Sequence, residues 1–465
     1  MCIRDRAYFS DQDRLINYLT LNNLYTTYGT IKSQMLDGED EGGLHPFPST
    51  EESLRVTGEL LTQPADTPAG DAVNPLWRRT DTHKPMRDYN VVVVLMEGMA
   101  AKYVGALGYP DSQTPNLDEL CRQGLYFERM YAVGARTSRA VAGVLCGYPD
   151  LLGTPVIRLD EAQGTFLTLP GIFRRRGYRT MFIYGGRPDF DNMNCFLTAG
   201  GVESIIGQRD LGPQDEAGTW GFPDEMIFRA AHEQFRSMGG QKFFAVVLTV
   251  SNHQPYNVPV GRVELVKGET LDEKRPNGFR YADWALGEYF RYAREAPYFR
   301  NTIFVLVADH GQEIDHRMLF DVPGYRIPCL FYAPGIIEPR RISTVASQTD
   351  IAPTLLAMLG GSYEHCFFGR NVLEVRPGDG FALMHEDDHM AWVQDRLALV
   401  QRPQQPGVLF ETDGFTMKRL SPTASRGKAE EMQRNMLSLY KAARYLYRMR
   451  AYRAPSAARR EITQE

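Results

Sequence analysis

The sequence contains no apolar run near the ~18 residues that a membrane-crossing helix requires. Its longest undiluted runs, Val91–Met96 and Phe243–Leu248, are the length of a strand. Its six cysteines (Cys2, Cys121, Cys146, Cys195, Cys329, Cys366) include no CxxC pair. That argues against a zinc ribbon or a dense disulfide scaffold and leaves buried, inert thiols as the expectation. Neither sign of charge is in large excess: 52 Lys plus Arg stand against 57 Asp plus Glu, a net −5. A chain that binds nucleic acid by neutralising phosphates leans basic, so nucleic acid is not an expected partner. There is no internal repeat. What the chain does have is 465 residues, 43% of them hydrophobic and 11% aromatic. That is material for a substantial core, in two or three domains or in one large α/β domain with appendages.

Residues 1–6, Met1-Cys2-Ile3-Arg4-Asp5-Arg6, read as translated sequencing adapter and are set aside. In 7–86, Tyr8–Leu36 is amphipathic and predicted helical, and 37–82 is rich in Gly, Pro, Asp, Glu and Thr. The second stretch offers little to bury and is expected to be an extended linker. From Tyr89 apolar runs of strand length alternate with helical patterns. Asn90–Met96 precedes Asn116–Arg122; Thr180–Tyr184 precedes Met193–Ala199; Phe243–Val250 precedes Tyr281–Ala293. Thr302–Ala308 follows, and Ile327–Tyr332 precedes Ile351–Leu359. Continuous Val/Ile/Leu/Phe runs predict strands covered on both faces, and the intervening helices predict an α/β fold with a doubly wound, mostly parallel sheet. This unit is placed at 87–373. In 374–465 a small C-terminal α+β part is expected, with strands near Phe381–Met384, Ala391–Val393 and Leu397–Val400 and a basic amphipathic helix at about Lys428–Arg450.

Ligands of open α/β sheets bind at the carboxyl ends of the strands. Here four predicted strands end in polar residues: the first in Glu97, the second in a Gly185–Asn192 loop containing Asp191 and Asn192, the third in Ser251-Asn252-His253, and the fourth in Asp309-His310. Glu97, Asp309 and His310 have the composition of a divalent-metal site, two hard carboxylates and an imidazole, suited to Mn, Mg or Zn. Three ligands leave a position open for a nucleophile. The candidates lie in Gly134-Ala135-Arg136-Thr137-Ser138-Arg139, ahead of the small-residue helical run Ala140–Leu145. There, helix-start amides, Arg136 and Arg139 would favour an alkoxide on Thr137 or Ser138, although a hydroxyl before a helix is also an ordinary N-cap.

Several motifs occur together in this order: the strand ending in Glu97, Thr114-Pro115-Asn116-Leu117-Asp118, Arg136-Thr137, Tyr184-Gly185-Gly186, Phe190-Asp191-Asn192-Met193, Asn252-His253-Gln254-Pro255-Tyr256, Ala308-Asp309-His310-Gly311, and Ser347-Gln348-Thr349-Asp350. Together they resemble the lipoteichoic acid synthase-like phosphoglycerol transferases of the alkaline phosphatase/sulfatase superfamily, over Tyr89–Leu373. The resemblance implies that Thr137 is both nucleophile and metal ligand, and that Glu97, Asp309 and His310 complete a site for one divalent ion, Mn first, with Mg or Zn as alternatives. It implies that His253 contacts the substrate, that Arg136 neutralises phosphate, and that Asp191 and Asn192 lie in the loop that grips the head group. Lipoteichoic acid synthases have Trp and Arg where this chain has Asp191 and Met193, which leaves the head group open. The implied donor is a phospholipid such as phosphatidylglycerol, and the implied acceptor a glycan or polyglycerophosphate. The implied location is a bacterial membrane, with spans upstream of Tyr8–Leu36 and the catalytic domain periplasmic or extracellular. Alternatives are a phosphoethanolamine transferase, a sulfatase-like phosphodiesterase or hydrolase, or an inactive envelope-glycan-binding relative.

Three further features have blander readings. His316 is expected in a solvated loop, and His385, Glu386, Asp387, Asp388 and His389 in an exposed turn. The Arg- and Tyr-rich segment Ala442–Arg453 either touches anionic headgroups or packs its tyrosines on the domain.

Overall fold

The computed structural model describes residues 48–452, apart from 160, 161, 165, 214–216, 313–319, 387, 403 and 404. The helix expected at Tyr8–Leu36, and with it His316 and Asp387, lies outside the described residues.

Helix α1 (Thr50–Leu61) and the short strands β1 (Asp66–Pro68) and β2 (Arg78–Asp81) come first. Then follow β3 (Asn90–Met96), α2 (Pro115–Gln123), β4 (Leu125–Tyr131), α3 (Thr137–Cys146), α4 (Leu169–Arg175) and β5 (Arg179–Tyr184). Next are α5 (Met193–Ala199), β6 (Ser204–Ile206), α6 (Gln208–Leu211), α7 (Asp224–Ser237), β7 (Phe243–Leu248), α8 (Leu271–Ala293) and β8 (Thr302–Ala308). β9 (Arg326–Tyr332), β10 (Arg340–Ile342), β11 (Ala346–Ser347), α9 (Ile351–Leu359) and β12 (Ser362–His365) complete the first unit. The C-terminal part is β13 (Phe381–Glu386), β14 (His389–Gln394), β15 (Leu397–Gln401), β16 (Val408–Thr412), β17 (Met417–Arg419) and α10 (Pro422–Arg448).

The central sheet has the order β10-β4-β9-β8-β3-β7-β5-β6, with β11 also on β4. β3 runs parallel to β7 and β8, and β5 parallel to β7 and β6. β9 is antiparallel to both β8 and β4, so the sheet is mixed at this side. β3, β7, β8 and β9 are buried along their whole length, which explains their uninterrupted apolar sequence: both faces are covered and no position needs a polar side chain. β4 was not anticipated, because Glu128 and Arg129 break its apolar pattern.

The expectation of an extended linker over 37–82 is corrected from residue 50 onward. Ser49 caps α1 by accepting the Glu52 N–H at 3.1 Å, and Val56 and Leu61 of α1 are buried, with α1 packed on α10. β1 and β2 join β12 in a three-stranded antiparallel sheet, where buried Arg78 pairs with Asp66 at 3.1 Å. The polar composition hid a segment that pairs its charges and still buries Val56, Leu61, Leu76 and Trp77.

β13–β17 form an antiparallel meander, and α10 packs across β14, β15 and β16. Trp392 is fully buried there and stacks on Phe381 at 4.3 Å. Of the two readings of Ala442–Arg453, packing is the one observed within the described residues: Tyr452 is buried and stacks on Phe166 at 4.2 Å. No described helix is long and apolar enough to cross a membrane.

Candidate active site

Met96 of β3 lies opposite Ala308 of β8 in the parallel ladder. Glu97 and Asp309 therefore leave the sheet side by side, one residue beyond the paired strands. Both are buried. Asp309 Oδ1 accepts the Gly98 N–H at 2.8 Å and the His310 N–H at 2.7 Å, which fixes the carboxylate and turns Oδ2 toward the site. The Glu97 N–H donates to Thr249 Oγ1 at 2.9 Å. His310 Nδ1 sits 2.8 Å from the Gly311 carbonyl; a carbonyl only accepts, so Nδ1 donates there and Nε2 is the ring nitrogen left to face the acids. That Nε2 lies 3.6 Å from both Glu97 Oε1 and Asp309 Oδ2.

Thr137 opens α3, yet it is not the cap. Arg136 occupies the N-cap position with extended backbone and makes no side-chain capping bond. The Thr137 hydroxyl instead donates to Asp309 Oδ2 at 2.6 Å and lies 3.4 Å from Glu97 Oε2. It stands at the positive end of the helix dipole, among amides without intrahelical partners. The small residues of α3 have a use here: a Cβ at Gly143 would meet Val133 at 3.1 Å and Gln348 at 3.3 Å. Gln348 then joins the two halves of the site. Its Nε2 donates to the carbonyls of Ala308 (2.8 Å) and Asp309 (2.6 Å), while its Oε1 accepts the Val133 N–H at 3.0 Å.

Glu97, Asp309 and His310 form a group able to hold a metal ion, with ligand atoms within 4.8 Å of one another. Burial, and then the charge of Asp309, hold the Glu97 carboxyl well above its usual range. Two buried acids facing one imidazole are short of positive charge, and a divalent cation among these oxygens and the Nε2 lone pair fits that deficit.

The other candidates divide. Arg136 is exposed beside Thr137. Arg139, expected to neutralise charge at the nucleophile, turns away instead: it pairs with buried Asp150 and donates to the Gly153 carbonyl at 3.1 Å. Ser138 is buried, its hydroxyl without a hydrogen-bond partner among the described residues. His253 stands at the same sheet edge, its pKa lowered chiefly by burial, with smaller influences from the Gln254 carbonyl, His310 and Asp309. Asp191 and Asn192 both adopt left-handed backbone, at φ 51° and 63°. They engage the segment before α4, where Asp191 lies 3.7 Å from Arg158 and Asn192 Nδ2 donates to the Ile157 carbonyl at 3.1 Å.

The exposed turn expected at His385–His389 is corrected as well. His385 is buried on β13, 2.9 Å from Asp150 Oδ2, and His389 pairs with Asp388 at 2.8 Å. Sequence reasoning also missed Trp220. Its ring lies against that of His253 with centroids 3.6 Å apart and the planes tilted by 34°, its Nε1–H donates to the Gln254 carbonyl at 2.7 Å, and half-exposed Phe190 meets it edge-on at 6.0 Å. One of only four tryptophans, set in a Gly-rich loop, was the available signal. Four of the five described thiols behave as expected: Cys121, Cys146, Cys329 and Cys366 are buried, and burial pushes Cys121 and Cys366 up to about 12, whereas Cys195 is exposed.

A family model described as Sulfatase matches residues 89–361. Among curated proteins, the chain is 22% identical over 294 residues to lipoteichoic acid synthase 2 of Bacillus subtilis, covering 58% of this chain and 45% of that protein. It is 25% identical over 241 residues to phosphoglycerol transferase I of Citrobacter koseri, covering 49% of this chain and 31% of that protein. The matches thus span less than half the length of these relatives. Among solved structures, a protein in the alkaline phosphatase superfamily from Vibrio parahaemolyticus superposes with a TM-score of 0.80 at 29% identity, covering 90% of this chain and all of that one.

Proposed function

The chain belongs to the sulfatase family, whose wider superfamily consists of transferases and hydrolases, and from that premise we propose that it transfers a phosphoglycerol group from a phospholipid through a phospho-threonine on Thr137. The observation that carries this reading is the Thr137 hydroxyl, spent on Asp309 at 2.6 Å rather than on capping its own helix.

Glu97, Asp309 and His310, with Thr137 Oγ1, would hold one divalent cation, Mn by preference over Mg or Zn, which when bound supplies positive charge that favours the Thr137 alkoxide and offsets charge on the phosphoryl oxygens. Thr137 Oγ1 gives up its proton along the bond toward Asp309 Oδ2 and forms the new bond to phosphorus. The bond from phosphorus to the diacylglycerol oxygen breaks, and that oxygen takes a proton for which His253, which also contacts the substrate on this reading, is a candidate donor. Arg136 and the amides at the start of α3 face the phosphoryl oxygens. An acceptor hydroxyl then gives its proton to the deprotonated His253 and bonds to phosphorus, the bond from phosphorus to Thr137 Oγ1 breaks, and the proton held toward Asp309 Oδ2 returns to Thr137 Oγ1. Asp191 and Asn192 border the head-group side. The donor on this reading is phosphatidylglycerol and the acceptor a glycan or polyglycerophosphate, so the domain works at the outer face of a bacterial membrane, periplasmic or extracellular.

Turnover of a donor panel with Mn present tests this. Release of diacylglycerol from phosphatidylglycerol, with little from phosphatidylethanolamine and none from an aryl sulfate, is the expected result. Preference for phosphatidylethanolamine, or sulfate release, would replace the head group or the reaction class.

A further inference from the structure

Arg139, Asp150 and His385 lie outside the metal trio, are mutually bonded, and take no part in the chemistry described above. Asp150 Oδ2 receives the Arg139 guanidinium and, 2.9 Å away, His385 Nδ1. A carboxylate only accepts, so the imidazole donates through Nδ1. Arg139 Nη1 lies 3.4 Å from that ring nitrogen and 3.3 Å from the Leu151 carbonyl. His385 and Asp150 are buried, so the pairing is desolvated and directional rather than a surface ion pair. Room for it is made at Gly134, where a Cβ would meet Arg139 Cδ at 2.6 Å and Asp150 Oδ2 at 2.9 Å.

The position of this network in the chain gives it meaning. Arg139 is two residues beyond Thr137, and Asp150 lies in the loop that leaves α3. His385 belongs to the C-terminal sheet, and its backbone N–H donates to the Val133 carbonyl at 3.2 Å, just before the nucleophile turn. The exit loop is held from the same side: Tyr148 donates to the Ala443 carbonyl of α10 at 2.6 Å, and the Leu152 N–H donates to the Tyr440 hydroxyl at 3.3 Å. The C-terminal part therefore grips α3 at both ends.

We infer that Asp150, His385 and Arg139 are positioning residues for Thr137, and that the C-terminal sheet and helix are a working component of the catalytic centre rather than an appendage. The inference rests on the Thr137 reading. Phosphoryl transfer needs the attacking oxygen in line with phosphorus, and a displacement near 1 Å costs about 100-fold in rate. The network fixes the turn that carries that oxygen without touching substrate.

The test uses the full chain with Mn and bis(p-nitrophenyl) phosphate, a generic phosphodiester, and compares His385→Leu, His385→Asn and Asp150→Asn. Leu fills the space without a donor; Asn sets an amide N–H close to where Nδ1 stands. His385→Leu is expected to lower kcat by about 10–100-fold with KM within about twofold, and His385→Asn to recover most of the loss. Amide exchange over residues 134–146 should quicken about tenfold in His385→Leu and Asp150→Asn, while that over 302–308 stays as in the parent. Unchanged exchange at 134–146, a loss confined to KM, or no difference between the Leu and Asn variants would overturn the inference. If His385→Leu does not fold, Asp150→Asn, which keeps the side-chain shape, decides by the same readouts. Exchange is read without turnover, so a chain inactive on every phosphodiester would defeat the Thr137 reading while the exchange result still judges the grip on α3.

Discussion

Thr137 Oγ1 and Asp309 Oδ2, 172 residues apart in sequence, lie 2.6 Å apart. The contact joins the start of α3 to the end of β8 and makes the hydroxyl's environment anionic on one side and amide-rich on the other. Thr137→Ala removes the oxygen and leaves a small residue that the helix accepts. Turnover is expected to fall at least about 1,000-fold with the melting temperature within a few degrees, and Thr137→Ser to retain measurable activity. Activity assays beside thermal melts check both.

Glu97 and Asp309 impose opposing demands in the absence of a cation. Burial and the neighbouring acid favour the neutral Glu97 carboxyl, so Glu97→Gln should stabilise the cation-free protein by about 1 kcal/mol or more. The same change should abolish the rise in melting temperature that saturating Mn gives the parent, a rise worth about 2.7 kcal/mol at 100 times Kd. Melts with chelator and with Mn read out the two effects, and a Mn-induced shift that survives in Glu97→Gln, His310→Ala and Asp309→Asn would remove the ligand assignment.

Much of this site was legible in the sequence because the strands at its centre are buried on both faces. Unbroken apolar runs mark their own ends, so Glu97 and Asp309 stood out as the first polar residues after β3 and β8, and His253 in the polar Ser251-Asn252-His253 stretch that follows β7. The direction of β9 was not legible, since an apolar run reads the same in a parallel or an antiparallel ladder. Arg139 was misjudged because sequence proximity to Thr137 says nothing of which way a long side chain turns, and here Asp150 draws it inward. His385 was misjudged because its acidic neighbours suggested solvent, whereas the apolar Phe381–Met384 stretch before it belongs to the same buried strand. Charge-paired α1, β1 and β2 escaped notice for the complementary reason: composition registers polarity but not its pairing.

Trp220 and His253 form a close, tilted ring pair at the same sheet edge as the trio. Trp220→Ala should free the imidazole to swing, raising KM about tenfold for a phosphodiester while kcat changes less and the melting temperature moves little, because the residue is only partly buried. Steady-state kinetics settle it; a pure kcat effect would confine His253 to proton transfer and remove it from substrate binding.

Asp283 of α8 accepts the N–H groups of Asn116 (2.9 Å) and Leu117 (2.8 Å) at the start of α2, and burial pushes its carboxyl up to about 6. The folded state thus holds a proton that the unfolded chain releases near pH 3.9. Its contribution is greatest below that value and is lost as pH rises to about 6, a change of about 3 kcal/mol for a shift of this size. Asp283→Asn cannot titrate, so the difference in unfolding free energy between parent and variant should vary across about pH 4–6 and be flat above it. Denaturant titrations at stepped pH measure this.

The account stands on a covalent bond forming at one oxygen. Incubation of the full chain with phosphatidylglycerol and Mn, followed by acid quench and peptide mass spectrometry, looks for that bond directly. A glycerophosphoryl increment on the peptide containing Thr137, absent from Thr137→Ala, is the predicted result. Diacylglycerol release with no increment at Thr137, or with the increment on another residue, would contradict it.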